Sequence, residues 1–372
     1  MRIVFAGGGT GGHLYPGLAI ARAVQRLRPD VQPFFVGARR GIEHEVLPGS
    51  GFPFALLDLH PLYRRAVWNN WRTGLGLLTA WRELGHLLAT ERPALVVGTG
   101  GYAAVAMLAY ATAHGIPFVE QTGDALPSLT ARLFSRWARE IYLSFPESAS
   151  HLRARSTEAL VDTGAPIEPP PATRPERPNA LRVWGFPADA RVVLVYGGSQ
   201  GSAAINAVVS DWVANLPPKV HVIWGTGKRN HADFAFRESD RVRVRAYLSP
   251  IADAYAVADV ALTRAGTMTV AELLAWRIPA ILVPLPTAAD DHQTVNALAL
   301  QRTGAAIHLA QGRLTRASLA ATVDGLLGDS TRLNAMSAAA ASRARPDAAN
   351  TIARRIVALL PRYSAGELRS PD

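Results

Sequence analysis

The groups in this chain whose types and spacing could do chemistry are two glycine-rich loops, a run of threonines at the start of a helix, and one glutamate behind them. In residues 264–297, RAGTMTVAELLAWRIPAILVPLPTAADDHQTVNA, the residues Arg264, Gly266, Thr267 and Thr269 precede and open a helical run marked by Val270, Leu273 and Leu274. The first amides of such a helix have no partner within it and meet anions well. Glu272 falls about one turn into the helix, where its carboxylate can accept both hydroxyl protons of a ribose. After an apolar run at 280–285, Asp290-Asp291-His292-Gln293 offers further polar groups where a strand would end. A capping threonine and a solvated acidic turn would use the same letters, so a nucleotide site needs support from elsewhere.

That support comes from the glycine loops. Gly7-x-Gly9-x-x-Gly12 follows an apolar strand and precedes a helix, which satisfies the dinucleotide fingerprint. A nicotinamide or flavin site also needs an acidic residue at the end of the second strand, and that end reads Val36-Gly37-Ala38-Arg39-Arg40. The loop therefore suits a diphosphate or sugar approaching bare backbone, with His13 at the helix start either as a cap or as a proton acceptor. A second loop, Gly197-Gly198-Ser199-Gln200-Gly201, repeats the plan. Two such loops with Glu272 specify a nucleotide-sugar site more narrowly than any one of them.

The elements that must position these groups read as strands alternating with helices. IVFA (3–6), PFFVG (33–37), FALLDL (54–59), ALVVG (94–98) and IPFVE (116–120) are separated by helical patterns, including ones near 41–47 and 128–138. VVLVY (192–196), VHVIWG, VRVRAYL, ADVALT and PAILVPL continue the series. Such alternation predicts parallel sheets covered on both faces, an α/β class. GAPIEPPPATRPERP, from Gly164 to Pro178, is too rich in proline for a central strand or helix interior. The expected organisation is a domain over 1–163, a linker over 164–180, a second domain over 181–340, and a closing helix with a frayed tail over 341–372. Ligands of open α/β sheets bind at the carboxyl ends of strands, so the loops should face one another across a cleft.

The 372 residues suffice for two cores, and 49% hydrophobic with 18% charged residues is globular composition. Cysteine is absent, which excludes a disulfide framework and thiolate chemistry. The opening MRIVFAGGG enters a strand at once, without the layout of a signal peptide. The uncharged run Ala94–Val119 is broken by Gly98, Gly100, Gly101, His114 and Pro117 and is not read as a membrane span. The net charge of +10 suits nucleic acid, anionic lipid or phosphorylated substrates alike, but no nucleic-acid-binding signature accompanies it.

GGGTGGHLYPGLAIA (7–21), GTGGY (98–102), GGSQGSAAIN (197–206) and 264–297 together resemble the MurG family, colinearly over nearly the whole chain. The resemblance implies a GT-B fold, two Rossmann-like doubly wound domains facing across a cleft. It implies an inverting transferase of peptidoglycan and cell-wall synthesis, moving N-acetylglucosamine from UDP-GlcNAc to the MurNAc 4-hydroxyl of lipid I without an essential bound metal. By the same resemblance, Glu272 would hold the ribose and the backbone of Leu248 would meet uracil. Gly198, Ser199, Gln200, Met268 and Thr269 would meet the diphosphate or uridine, and Gln293 the donor sugar. Thr10 and His13 would stand at the reacting centre, with acceptor contacts from Gly11, Gly12, Gly100, Gly101 and Tyr102.

Two positions depart from the family pattern. Gln121-Thr122-Gly123-Asp124 stands where the family has His-Glu-Gln-Asn, which makes Asp124 a rival proton acceptor to His13. Glu168 stands where the family has an arginine, a like charge in place of a phosphate partner; Arg174 or Arg264 could substitute.

Residues 62–82, LYRRAVWNNWRTGLGLLTAWR, mix tryptophan and arginine with leucine, a composition suited to a headgroup boundary as well as to a solvated helix. Arg64, Arg65, Trp68, Trp71, Leu75 and Leu78 are the candidates, and the resemblance favours peripheral docking on the cytoplasmic face of the inner membrane, against its anionic leaflet. Implied partners are UDP-GlcNAc, lipid I, that surface and other cell-wall synthesis proteins. The competing readings are a transferase with another lipid or glycoside acceptor, a UDP-sugar epimerase, and a UDP-sugar-binding relative without turnover.

Overall fold

The computed structural model describes residues 1–60, 68, 70–198 and 200–361. In the first half the strands are β1 (Arg2–Gly7), β2 (Gln32–Ala38), β3 (Phe54–Leu57), β4 (Leu95–Gly100), β5 (Phe118–Thr122), β6 (Ile141–Leu143) and β7 (Leu160–Asp162). The helices among them are α1 (Gly11–Leu27), α2 (Glu43–Val46), α3 (Asn70–Leu88), α4 (Tyr102–Ala113) and α5 (Leu129–Phe134). The second half holds β8 (Arg191–Tyr196), β9 (Val220–Gly225), β10 (Val242–Arg245), β11 (Val260–Thr263), β12 (Ala280–Leu282) and β13 (Ala306–His308). Its helices are α6 (Arg177–Trp184), α7 (Ala203–Trp212), α8 (His231–Phe234), α9 (Ala252–Tyr255), α10 (Thr267–Trp276), α11 (His292–Arg302), α12 (Arg316–Leu327) and α13 (Ser330–Arg343), followed by α14 (Ala348–Leu359).

Both sheets are parallel, in the orders β3-β2-β1-β4-β5-β6-β7 and β10-β9-β8-β11-β12-β13. This is the doubly wound α/β arrangement expected, twice over. The central strands are apolar on both faces because each face is covered. Ile3 and Phe5 of β1 enter one core while Val4 and Ala6 enter another; Val192 and Leu194 of β8 are divided from Val193 and Val195 in the same way. Strands β6, β7 and β13 are short and escape the apolar-run reading.

Strand order reverses between β1 and β4 in the first sheet and between β8 and β11 in the second. The described loop residues leaving those four strands are Gly8, Gly9 and Thr10; Gly101; Gly197, Gly198, Gln200, Gly201 and Ser202; and Arg264, Ala265 and Gly266, so both switch points are lined by the segments singled out above.

The proline-rich segment contributes no strand, and α6 starts inside it. Pro178 sits in the first turn of α6, where a missing N–H costs nothing. At the other end, α14 crosses back to the first half. Ile352, Ala353 and Ile356 join the core that holds Leu18, Ile20 and Val24 of α1, and Arg355 pairs bidentately with Glu140 at 2.7 and 2.8 Å.

Candidate functional site

The first glycine loop is locked before any ligand arrives. Gly8 and Gly9 carry φ values of 156° and 88°, and the Gly8 N–H donates to the carbonyl of Gly100 at 3.3 Å. The Gly9 N–H donates to both carboxylate oxygens of Glu43 at 3.0 Å, and the Ala38 N–H donates to one of them at 3.0 Å. This corrects the expectation of bare backbone at the loop: the Gly9 amide already has an anion. Sequence reasoning missed Glu43 because it follows the end of β2 by a turn and reaches back across the sheet end.

Thr10 caps α1 by backbone geometry alone; its side chain makes no capping bond and stays exposed. His13 lies one turn on, half-buried between this loop and the Gly100–Gly101 turn. A Cβ on Gly100 would fall 2.9 Å from His13 Nδ1, and one on Gly101 would fall 3.0 Å from its Cδ2 and 2.1 Å from the carbonyl oxygen of Gly8. Only glycine permits that approach. Nδ1 lies 3.1 Å from the carbonyl oxygen of Thr99. A carbonyl only accepts, so in the neutral ring Nδ1 carries the proton and Nε2 keeps its lone pair. Burial of the ring holds its pKa below the usual histidine value; the charge of Asp124 and the Thr99 carbonyl oppose this, His292 adds to it, and Glu43 opposes it. Tyr102 lies against the loop, its ring edge 2.6 Å from where a Gly9 Cβ would stand. Gly11 and Gly12 form the first turn of α1.

Across the cleft, α10 begins at Thr267 after Gly266, with no side-chain cap and no acidic residue in its first turn. Its first intrahelical donor is the Val270 N–H, so the amides of Thr267, Met268 and Thr269 precede the ladder. The Met268 side chain packs with Ala165 and Ile167 of the linker, which leaves its backbone rather than its thioether for a ligand.

Glu272 is half-buried and accepts from the Tyr255 hydroxyl at 2.7 Å; Tyr255 in turn lies 2.8 Å from the hydroxyl of Tyr196. Burial raises the Glu272 pKa, the Tyr255 bond lowers it, and the charge of Glu168 raises it again. Leu248 is buried against Gly225 and belongs to the core. Gly198 has φ 87° and open space around it, and Gln200 is exposed. Ser199 lies outside the described residues. Gln293 accepts from the Leu285 N–H at 3.0 Å through its side-chain oxygen.

Neither proposed substitute for an arginine at 168 is free. Arg264 is buried and donates to the carbonyls of Val283 and Pro284, to Ser202 Oγ and to Gln311 Oε1, at 2.7 to 3.1 Å. Arg174 donates to Ala275 and Trp276 carbonyls at the far end of α10. Both are braces.

Asp124 does not stand open in the cleft. Its Oδ1 accepts from Thr267 Oγ1 and from Asn296 Nδ2, at 2.6 and 2.8 Å, while Asn296 Oδ1 accepts from the Ala125 N–H at 2.8 Å. Asn296 is fully buried. A buried asparagine on the inner face of an otherwise apolar helix turn was the one available signal of this junction.

On α3, Trp71, Leu75 and Leu78 are 60%, 54% and 65% exposed, while Gly76, Ala80, Leu84 and Leu88 face inward; Trp68 is more exposed still. Arg64 and Arg65 lie outside the described residues. Among the described residues no helix is long and apolar enough to cross a membrane.

The chain matches the glycosyltransferase family 28 N-terminal domain over residues 3–143 and that family's C-terminal domain over 192–352. It is 42% identical over 370 residues to the UDP-N-acetylglucosamine--N-acetylmuramyl-(pentapeptide) pyrophosphoryl-undecaprenol N-acetylglucosamine transferase of Salinibacter ruber, with 97% of each chain covered. The protein of the same name from Symbiobacterium thermophilum is 38% identical over 367 residues, with 96% of each covered. Among solved structures, MurG of Acinetobacter baumannii superposes with a TM-score of 0.76 at 26% identity, over 96% of this chain and 99% of that one.

Proposed function

The chain belongs to glycosyltransferase family 28 and, within it, to the MurG transferases, and from that membership and the geometry above we propose how its site works. The protein transfers N-acetylglucosamine from UDP-N-acetylglucosamine to N-acetylmuramyl-(pentapeptide) pyrophosphoryl-undecaprenol, the acceptor lipid I. The epimerase and binding-only alternatives share the fold, but the relatives that are 42% and 38% identical over nearly the whole chain are named as transferases.

The donor binds the second half. The α10 amides of Thr267, Met268 and Thr269 receive the diphosphate, aided by the dipole of the helix. Glu272 holds the ribose, Leu248 meets uracil through its backbone, Gly198, Ser199 and Gln200 meet the diphosphate or uridine, and Gln293 meets the sugar. The acceptor enters over Gly11, Gly12, Gly100, Gly101 and Tyr102. Its hydroxyl oxygen attacks the anomeric carbon as the bond from that carbon to the phosphate oxygen breaks, and the electron pair leaves with UDP. Nε2 of His13 takes the hydroxyl proton and later returns it to water. One displacement inverts the anomeric centre. The observation that carries this reading is geometric: His13 stands on the loop and helix start after β1, and Asp124, on the loop after β5 of the same sheet, accepts from Thr267, the first residue of α10, at 2.6 Å. The proton acceptor and the leaving-group site thus belong to one constellation.

The exposed face of α3, with Arg72 and Arg82 on the same helix, docks reversibly on an anionic membrane surface at the cytoplasmic face. Each basic group near such a surface adds about 1 kcal/mol.

Product analysis after incubation with UDP-N-acetylglucosamine and a lipid I analogue tests the reading. A β1,4-linked disaccharide is expected. Release of free N-acetylglucosamine without it would reduce the chain to a hydrolase, and no consumption of donor would overturn the transfer.

A further inference from the structure

Glu43 is fully buried, and its carboxylate is met by amide N–H groups from two segments of the first half. None of the ion pairs among the described residues involves it. Room for it is made by glycines: a Cβ on Gly8, Gly37 or Gly41 would fall 1.8, 2.8 or 1.9 Å from its atoms. The four residues Gly8, Gly37, Gly41 and Glu43 are therefore one device. A buried carboxylate is tolerated only where hydrogen bonds replace its water, and here the donors are the amides of a loop that would otherwise attract a substrate anion.

We propose that Glu43 is the internal occupant of that anion nest and acts as a positioning residue, holding Gly9 and through it Thr10 and the first turn of α1, so that His13 is presented to the acceptor hydroxyl. The loop is pinned from one side by Glu43 and from the other by Gly100, whose turn also touches the His13 ring. Thr10 follows Gly9 directly and keeps its hydroxyl free of capping. This role rests on the transfer reading given above, but the state of the loop can be measured without it.

The experiment compares the full chain with Glu43→Ala, Glu43→Gln and Gly41→Ala. The last keeps the carboxylate and crowds its Oε2; Gly41 has no positive φ, so alanine suits its backbone. Amide hydrogen exchange over residues 8–14 should quicken at least about tenfold in Glu43→Ala and Gly41→Ala, while exchange over 197–206 stays as in the parent. Turnover should fall about 10²-fold with KM for UDP-N-acetylglucosamine within about twofold, the signature of a misplaced reacting group. Glu43→Gln, with one oxygen retained, should fall between. Should Glu43→Ala fail to fold, Gly41→Ala decides. Unchanged exchange over 8–14 overturns the proposal, as does full turnover with a loosened loop, or a raised donor KM at parental kcat. If the parent itself makes no disaccharide, the transfer reading fails, while the exchange result still decides whether Glu43 holds the loop.

Discussion

Asp124 and Asn296, 172 residues apart in the chain, are joined across the cleft by a 2.8 Å hydrogen bond from the asparagine amide to the aspartate Oδ1. The same asparagine donates to the Ala265 carbonyl at 3.1 Å and accepts from the Ala125 N–H, so one buried side chain satisfies groups from both halves. Asn296→Ala would take this partner from the Ala125 N–H and the Ala265 carbonyl, while Asp124 keeps its bond from Thr267. It should cost about 1–3 kcal/mol in denaturant unfolding. An unchanged midpoint would show that water replaces the amide without loss.

Glu272 and its buried tyrosine partner give a graded prediction. Glu272→Ala should weaken UDP binding by about 1.5–3 kcal/mol, the range for hydrogen bonds to charged groups. Tyr255→Phe removes the hydroxyl that holds Glu272 Oε2, and should weaken UDP binding by a smaller amount without abolishing it. Calorimetry with UDP decides; parental affinity in Glu272→Ala would remove it from the donor site.

His13→Ala should lower single-turnover transfer by about 10²–10⁴ and spare UDP affinity. Because burial holds the His13 pKa down, the neutral ring persists below the usual histidine range, so the acid limb of kcat/KM should lie below about pH 6.5. Of the neighbouring titratable groups Asp124, His292 and Glu43, the carboxylates Asp124 and Glu43 favour imidazolium. Asp124→Asn should therefore move the acid limb to still lower pH while retaining transfer. Loss of chemistry in Asp124→Asn with near-full chemistry in His13→Ala would shift the base to Asp124.

On the exposed face of α3, replacing Trp71, Leu75 and Leu78 together by alanine should abolish co-sedimentation with anionic vesicles while leaving the fold intact, since none of the three is core. Binding by the parent should weaken as salt rises above about 0.1 M, where the screening length is about 10 Å. Equal sedimentation of variant and parent would return this face to the role of a solvated helix.

Glu120, buried in β5 with one carboxylate oxygen unpartnered among the described residues, has its pKa raised well above the usual carboxylate value by burial. Between the unfolded and folded values the folded state holds a proton that the unfolded state has lost, so stability falls as pH rises through that window. Relative to Glu120→Gln, the parent should lose up to about 1.4 kcal/mol per pH unit as pH rises above the usual carboxylate value, until the folded carboxyl itself ionises. A pH-independent difference between the two would mean that Glu120 finds a proton donor.

The sequence by itself determined what depends on neighbours along the chain. Apolar runs on β1 and β8 demanded sheets covered on both faces, the glycines after them demanded turns that no side chain could enter, and the α10 start was marked by Gly266 and its threonines. Family resemblance then ordered those loops around one donor and one acceptor. What only the tertiary structure decided are pairings between residues far apart, because packing chooses which side chain fills a given polar gap. Glu43 stands 34 residues beyond the Gly9 amide it occupies. Asp124 reads as a free carboxylate in its own loop, yet Thr267, 143 residues on, supplies its partner. Arg264 sits beside the donor loop in sequence, but its guanidinium is spent on carbonyls and side chains that fold around it. Local spacing can place a charged group near a site; whether that group is left free to act is fixed by what else is buried beside it.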